Sequence, residues 1–224
     1  MLKGKLVFII GALLASQVVV ANPLPEGVKP AHSTNPVAVS QAAQELRQTL
    51  ALIPQFSSVF EQQVFDAKGG LIQKASGNVE VSQPNQFRWQ TNEPDESLIV
   101  SDGESVWVYN PFVEQVSILS LDQTVKQSPL WLIANQTDAA WSQFKVTKDG
   151  NTYSIKPNDP QALTRQIEMS FSSGKLTTLR LVDSQGQSSV FELTQFNSAP
   201  NLAPNNFTFI PPTDVDIDDQ RSVQ

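Results

Sequence analysis

The chain has 224 residues, no cysteine, a single histidine and a formal net charge of −7. Without cysteine it can form neither a disulfide bond nor a thiolate metal site, and one histidine gives little support to a histidine-based catalytic triad or a zinc site. The negative charge disfavours nucleic acid and anionic membrane surfaces as partners. The length suits one all-β domain that depends on its own hydrophobic core.

The first 21 residues have the pattern of a secretory signal peptide. Lys3 and Lys5 form a basic start, residues 6–20 are mostly apolar, and small residues precede a cut after Ala21. The apolar run is short for a membrane span. Removal of this segment takes its two lysines away and changes the net charge from −7 to −9. We therefore expect a mature protein that acts outside the cytoplasm.

The mature chain is predicted to begin with a linker and to continue as one domain. Residues 22–36 contain four prolines and few bulky apolar side chains, which is typical of a flexible linker. His32 lies there, and we interpret it as a solvated residue because a catalytic base needs a rigid frame. No internal repeat or break in composition interrupts the remainder, which predicts a single domain over residues 37–224.

A helix is predicted over residues 37–53. Asn35 and Pro36 can serve as its cap and first position, and Pro54 stops it. Apolar residues recur at the spacing of one helix face: Val39, Ala42, Ala43, Leu46, Leu50 and Ile53. This stripe needs a partner surface.

Short apolar runs separated by turn signals predict about eleven antiparallel strands. The twelve runs cover residues 59–66, 71–74, 77–82, 86–91, 98–101, 106–109, 116–119, 144–147, 152–156, 166–171, 176–182 and 190–196. Phe207 and Phe209 are expected to form a last short strand, and the acidic tail from Asp214 to be partly mobile. A short second helix is predicted over residues 130–134. A sheet of this width tends to curl, and a curled sheet of more than ~8 strands leaves interior space.

Residues 85–119 indicate that the sheet is apolar on both faces. Neighbouring side chains of a strand point to opposite faces, so Val106 and Val108 lie on one side and Trp107 and Tyr109 on the other. A half-solvated antiparallel sheet would be polar on one side. We therefore expect a cover on the second face, and the pattern leaves open whether it is a second sheet, a helix or a bound apolar ligand.

The residue pattern predicts no catalytic residue, no cofactor and no metal. Acids in turns could form the paired carboxylates of a glycosidase, but such residues are mostly solvated; the candidates are Glu93, Asp95, Glu96, Glu104 and Glu114. The residues alone leave three interpretations open. These are a lipid-binding protein with a hollow interior, a carbohydrate-active β-domain, and a solid, non-catalytic β-domain of an envelope complex.

Several segments resemble the outer-membrane lipoprotein carrier (LolA) family. They are Pro84-Asn85 with Phe87-Arg88-Trp89, Glu93-Pro94-Asp95-Glu96-Ser97, Val100-Ser101-Asp102-Gly103, Tyr109-Asn110-Pro111-Phe112-Val113-Glu114-Gln115, Phe207-Thr208-Phe209-Ile210-Pro211-Pro212 and Asp218-Asp219-Gln220-Arg221. The resemblance covers the chain from about the first helix to the end. It implies an incomplete antiparallel β-barrel closed by an α-helical lid over an apolar cavity.

The resemblance also implies a function. It implies a monomeric, non-enzymatic chaperone of the periplasm that takes triacylated lipoproteins from an inner-membrane ABC transporter. The carrier would hand them to an outer-membrane receptor, LolB. No cofactor and no nucleic acid would take part.

We predict that the helices over residues 37–53 and 130–134 form the lid and that the lid closes in the free protein. Leu46, Leu50 and Trp131 would then pack against Trp89 and Trp107. The residues predicted to contact acyl chains are Phe87, Trp89, Leu98, Val100, Trp107, Tyr109, Leu46, Leu50, Leu130 and Trp131. The resemblance implies that Phe87 lies near the mouth of the cavity.

The resemblance further implies a latch next to Pro84. The family usually has an arginine at the position of Gln83, where it bonds the lid. Glutamine can still donate hydrogen bonds but carries no charge, so a latch is expected to be weaker here. Arg88 is a second candidate, although alternation puts it on the face opposite Phe87 and Trp89.

Overall fold

The computed structural model describes residues 40–121, 132–133 and 141–221. These residues belong to one unit of the chain, Val39–Gln224. The predicted signal peptide and the linker with His32 lie outside the described residues, as do Leu130 and Trp131. What the sequence predicts for them stays a prediction.

The described part of the chain is mainly β-structure. Helix α1 spans Gln41–Ala51. The strands are β1 Gln55–Phe65, β2 Leu71–Ser82, β3 Gln86–Glu93, β4 Ser97–Asp102, β5 Ser105–Asn110, β6 Gln115–Ser120, β7 Phe144–Asp149, β8 Thr152–Pro157, β9 Thr164–Ser172, β10 Lys175–Asp183, β11 Ser188–Asn197 and β12 Asp216–Asp219. A 3₁₀-helix, Pro204–Phe207, lies between β11 and β12. Leu132 and Ile133 are helical, within the predicted second helix.

Helix α1 begins four residues later than predicted. Ser40 has extended backbone angles, and its Oγ accepts a hydrogen bond from the Ala43 amide at 3.2 Å. A serine in this conformation is a favoured N-cap, so Ser40 rather than Asn35 fixes the start. The C-cap is Leu52, two residues before Pro54, as a proline stop predicts.

All twelve strands join one sheet in the order β12-β6-β5-β4-β3-β2-β1-β11-β10-β9-β8-β7. Neighbours pair antiparallel except for β12, which runs parallel to β6. Within the described residues no pairing joins β7 to β12, so the sheet is open at these two edges. The predicted fold class, an incomplete and mainly antiparallel barrel, is confirmed.

Three details of the predicted strands were wrong. Residues 71–74 and 77–82 form one strand, β2, because its pairing with β1 continues between them. Phe207 ends the 3₁₀-helix, and Phe209 belongs to no strand. The acidic tail supplies β12, Asp216–Asp219, because its backbone pairs with the exposed edge of β6.

The sheet curls strongly around one of its faces. Phe191 lies on β11 and Trp89 on β3, with β1 and β2 between them. Three strand spacings amount to about 14 Å in a flat sheet. The two rings nevertheless meet edge to face with their centroids 5.1 Å apart. The face that carries both rings therefore lies inside the curl, and it is called the inner face below; the opposite side is the outer face.

Candidate functional site

The inner face is apolar across most of the sheet. Residues paired directly across two strands share a face, so the pairing of Trp89 with Val79 and Ile99 places all three inside. Following the paired residues from strand to strand places further buried residues on the same face. One example from each of six strands is Val106, Ile99, Trp89, Phe60, Leu179 and Ile155. An apolar face of this extent requires a cover.

Three aromatic rings fill the middle of the inner face. Phe60 stacks on Trp89 with centroids 4.4 Å apart, and Phe191 meets them edge-on at 5.9 and 5.1 Å. The stack depends on Gly77 of β2, where a Cβ atom would lie 2.6 Å from Phe60 Cζ and 2.0 Å from the Gln90 carbonyl oxygen. The three rings are 0–3 % exposed. The protein's own side chains therefore close this part of the interior.

Helix α1 is fixed to β7 by side chains. Ser40 Oγ donates to the Val146 carbonyl oxygen at 3.2 Å, and Lys148 Nζ lies 2.9 Å from Glu45 Oε2. Lys148 pairs with Tyr153, an inner-face residue, so the helix lies on the inner side of the sheet. The hydrogen bond from Lys148 lowers the pKa of Glu45 and, in return, raises the pKa of Lys148. Both charges are exposed, so the ion pair is weak.

Gln83 joins the C-terminal end of α1 to the second helical segment. Its Nε2 lies 3.2 Å from the carbonyl oxygens of both Leu50 and Ile133, and its backbone N–H donates to the Pro54 carbonyl at 2.8 Å. Leu50, like Leu46, has no exposed surface. One neutral side chain thus bridges the two predicted lid segments and the turn between β2 and β3. Its effect on opening stays a prediction.

The structure separates the predicted acyl-contact residues into two groups. Phe87 and Trp89 lie on the inner face, whereas the strand register places four others on the outer face: Leu98, Val100, Trp107 and Tyr109. The reason is alternation, because Trp107 follows Val106, which pairs with the inner-face residue Ser101. The prediction that the lid leucines pack against Trp89 and Trp107 together was therefore wrong for Trp107.

The C-terminal segment, residues 204–219, covers the outer face near β3, β4 and β5. The 3₁₀-helix packs on β3 and β4, and Phe207 at its end is 2 % exposed. Asn206 Nδ2 donates to Glu80 Oε2 at 3.1 Å, and the Phe209 ring lies 5.6 Å from the Tyr109 ring. The sequence did not identify what covers the second face, and the structure shows that this segment of the same chain covers it.

Arg88 takes no part in the contacts around Gln83. It pairs with Glu80 and Val100 on the outer face, away from α1. In the part of the chain that the structure describes, no hydrogen bond or ion pair connects it to another side chain. The structure therefore gives no support to Arg88 as a second latch.

Phe60 and Phe191 belong to the inner cluster but were absent from the predicted contact set. The alternation of Phe56, Ser58 and Phe60 along β1 could have indicated an inward position for Phe60. Nothing local in the sequence indicates that Phe191 reaches Trp89. That contact depends on the curl of the whole sheet.

The candidate carboxylates lie at both ends of the hairpins. Glu104 is in the turn between β4 and β5, whereas Glu93 and Glu114 lie at the β3–β4 and β5–β6 turns, at the other end of the same strands. Residues 40–121, 132–133 and 141–221 contain no group of three or more His, Asp or Glu side chains that could hold a metal ion. None of the helices in these ranges has the length and hydropathy that a membrane span requires.

The sequence matches a family of known proteins over most of its length. Residues 52–210 match the family model described as outer membrane lipoprotein carrier protein LolA. The outer-membrane lipoprotein carrier protein of Aeromonas salmonicida (strain A449) is 43 % identical over 183 residues, which cover 81 % of this chain and 91 % of the relative. The protein of the same name from Shewanella pealeana is 41 % identical over 187 residues, with 82 % and 88 % covered.

A solved structure shares the fold at low sequence identity. It is an uncharacterized conserved protein from Thermus thermophilus, which superposes with a TM-score of 0.52 at 13 % identity and covers 80 % of this chain and 100 % of that chain. The family model and the two relatives, which span most of the chain, establish the relationship. This chain belongs to the outer-membrane lipoprotein carrier protein (LolA) family.

Proposed function

We propose that the protein is a periplasmic chaperone that carries lipoproteins through the cell envelope. Its relatives bear the name outer-membrane lipoprotein carrier protein. In this proposal it binds the acyl chains of triacylated lipoproteins released by an inner-membrane ABC transporter and delivers them to an outer-membrane receptor, LolB. It acts as a monomer, without catalysis and without a cofactor.

The observation that carries the proposal is an apolar inner face beneath a helix attached by side chains. Ser40, Glu45 and Gln83 make polar contacts that hold α1. Among the described residues, no backbone-to-backbone hydrogen bond joins α1 to the sheet. The helix can therefore move away without breaking a strand pairing. Acyl chains would then take the places of Leu46 and Leu50 on the inner face.

The free energy of burial favours a cover that competes with the cargo. Each buried methylene contributes about 0.8 kcal/mol, so three fully sheltered chains of ~15 methylenes would gain more than ~30 kcal/mol. That gain exceeds any reversible affinity. When α1 closes, its leucines occupy the same face as the cargo would. The free energy of this closure is therefore subtracted from the net affinity for cargo. The direction of transfer then follows from the relative affinities of the partners.

A displacement experiment tests the binding function. The purified mature protein is mixed with a hydrophobic probe dye and titrated with a lipopeptide that carries acyl chains on its N-terminal cysteine. We expect the dye to bind and the lipopeptide to displace it, while the same peptide without acyl chains does not. If the acylated peptide leaves the dye fluorescence unchanged, the carrier function is contradicted.

Phe87→Glu tests whether cargo binds on the inner face. Phe87 is 6 % exposed and pairs with Val81 and Ser101 on that face. A carboxylate there opposes the burial of acyl chains, so we expect lipopeptide affinity to fall about tenfold or more, with an unchanged circular dichroism spectrum. The matched control is Phe112→Glu, because Phe112 is 86 % exposed in a turn. Equal lipopeptide affinities for the two variants would place the cargo elsewhere.

A further inference from the structure

Trp89 carries a buried hydrogen-bond donor without an acceptor. The side chain is 3 % exposed, and no described residue accepts a hydrogen bond from its Nε1. The ring lies against Phe60 and Phe191, whose side chains contain no acceptor atom. Burying a donor without a partner costs free energy, and a buried indole N–H usually has one. A phenylalanine at this position would fill the apolar cluster without that cost.

A second polar atom without a partner lies on the same hairpin. Asn85 Oδ1 is buried and accepts no hydrogen bond from the described residues. Asn85 is in the turn between β2 and β3, two residues after Gln83, which holds the end of α1. Phe87 and Trp89 follow at alternate positions on the inner face. The β2–β3 hairpin therefore carries two buried polar atoms without a partner, one in its turn and one on the inner face of β3.

We propose that the Trp89 indole N–H donates a hydrogen bond to the carbonyl oxygen of a fatty-acyl ester in the bound ligand. This inference rests on the proposed function, since the helical cover must open before a ligand reaches the inner face. An alkyl chain offers no acceptor, and the polar head of an acylated molecule stays in water. The ester carbonyl at the base of a glyceryl-linked chain is an acceptor that enters an apolar site together with the chain.

This hydrogen bond would give the site a preference for ester-linked ligands that an apolar surface alone does not have. A site that hydrogen-bonds a ligand group discriminates against an analogue without that group, because its own donor is then left unpaired. The protein should therefore prefer ester-linked chains to ether-linked chains of equal length, since the ether lacks the carbonyl oxygen. Acylated lipoproteins and phospholipids both carry such esters, so the test includes both.

The experiment measures displacement of a hydrophobic dye from the wild-type protein and from Trp89→Phe. The ligands are a lipopeptide whose glyceryl-cysteine bears ester-linked chains, its ether-linked analogue, and a matched pair of diester and diether phospholipids. For the wild-type protein we expect an ester preference of about tenfold, the value of one hydrogen bond to a buried donor. Trp89→Phe should bring the ester-to-ether ratio near one while it leaves ether binding almost unchanged.

The four ligands separate the possible outcomes. An ester preference confined to the lipopeptide pair supports lipoprotein cargo as the source of the carbonyl, whereas one confined to the phospholipid pair supports a membrane lipid; each supports the role of the Trp89 donor. An ester-to-ether ratio that is the same in the wild-type protein and Trp89→Phe overturns it. If no acylated ligand displaces the dye from the wild-type protein, the proposed carrier function fails instead.

A measurement on the unaltered side chain covers the case in which Trp89→Phe is too unstable to bind. The chain has four tryptophans, so a nitrogen-15 spectrum of the mature protein shows few indole N–H signals, and that of Trp89 is assigned in the wild-type protein through its contacts with the Phe60 and Phe191 rings. We expect the ester-linked ligand to move this proton to lower field than the ether-linked analogue does. Equal positions with the two ligands overturn the inference.

Discussion

The inner face is apolar across most of the sheet and the outer face is apolar at β4–β6, and the two are covered in different ways. The apolar part of the outer face lies under the C-terminal segment, which continues into β12. The backbone of β12 is bound to the edge of β6, with Asp216 N–H donating to the Glu114 carbonyl and Gln220 N–H to the Ile118 carbonyl, both at 2.8 Å. The inner face lies under α1, which is attached through side chains such as those of Ser40 and Gln83.

This difference indicates which cover can open. Removal of the C-terminal segment would break a ladder of backbone hydrogen bonds and expose Phe207. Removal of α1 exposes Leu46 and Leu50 and breaks isolated side-chain contacts, but it breaks no strand pairing, and α1 keeps its own backbone hydrogen bonds as it moves. An element connected in this way can open locally without global unfolding. We therefore expect the outer cover to contribute to global stability and the inner cover to control ligand access.

The largest expected effect comes from a pair of variants, Phe207→Ala and Leu50→Ala. Both residues are at most 2 % exposed. Phe207→Ala should lower the free energy of global unfolding by about 3–5 kcal/mol, since it leaves a cavity under the fixed outer cover. Leu50→Ala should destabilise mainly the closed position of α1. Urea unfolding of both variants, together with dye binding, measures the difference.

Dye affinity distinguishes the two covers. Leu50→Ala should bind the dye more tightly than the wild-type protein, because less free energy opposes opening, whereas Phe207→Ala should bind it with unchanged affinity. If both variants lose the same global stability and neither changes dye affinity, the two covers are equivalent parts of one core. The proposed opening of α1 would then be wrong.

A smaller effect is expected at Gln83. Gln83→Ala removes hydrogen bonds to the Leu50 and Ile133 carbonyl oxygens, worth about 1–2 kcal/mol to the closed position. Amides of α1 should then exchange with deuterium about tenfold faster, while amides of β10 and β11 keep their protection. Gln83→Arg is the matched control. An arginine that reaches the same carbonyls makes charge-assisted hydrogen bonds, so it should slow the exchange of α1 below the wild-type rate.

Local pattern was sufficient to predict much of the fold. Turn signals located most strands because glycine, proline, asparagine and aspartate mark chain reversals, and the apolar stripe located α1. The pattern also predicted correctly that Trp107 and Tyr109 need a cover on their face. What it could not supply was the identity of that cover, since the contact between Tyr109 and Phe209 joins residues 100 positions apart and has no local signal.

The candidate site was predicted less completely than the fold. Trp89 and Trp107 were placed in it as apolar aromatic residues and Phe87 by the family resemblance, but the strand register sets Trp107 on the other face. Residue type reports that a side chain is buried, not which of two apolar faces it occupies. The contact between Phe191 and Trp89 could not be predicted either, because it arises from the curl of the sheet.

The smallest effect is expected at the N-terminal end of α1, where Glu45 meets Lys148. The pKa of Glu45 is lowered from its ordinary value of 4.5, so its stabilising effect is complete above that value and is lost as the pH falls through the lowered pKa. The pKa of Lys148 is raised from 10.5, so its effect is complete below that value and is lost as the pH rises through the raised pKa. Between these limits the pair is fully charged.

Glu45→Gln should therefore accelerate amide exchange in α1 at pH 7 and low salt, by less than Gln83→Ala does. Both charges are exposed, and at 1 M salt the screening length is only about 3 Å, so the variant and the wild-type protein should exchange at equal rates there. The Gln83 contact is a neutral hydrogen bond, and its effect should persist in high salt. A Glu45→Gln effect that persisted in salt and exceeded that of Gln83→Ala would contradict this order. The ion pair with β7 would then be the strongest attachment of the helix, and opening would start from the end near Gln83.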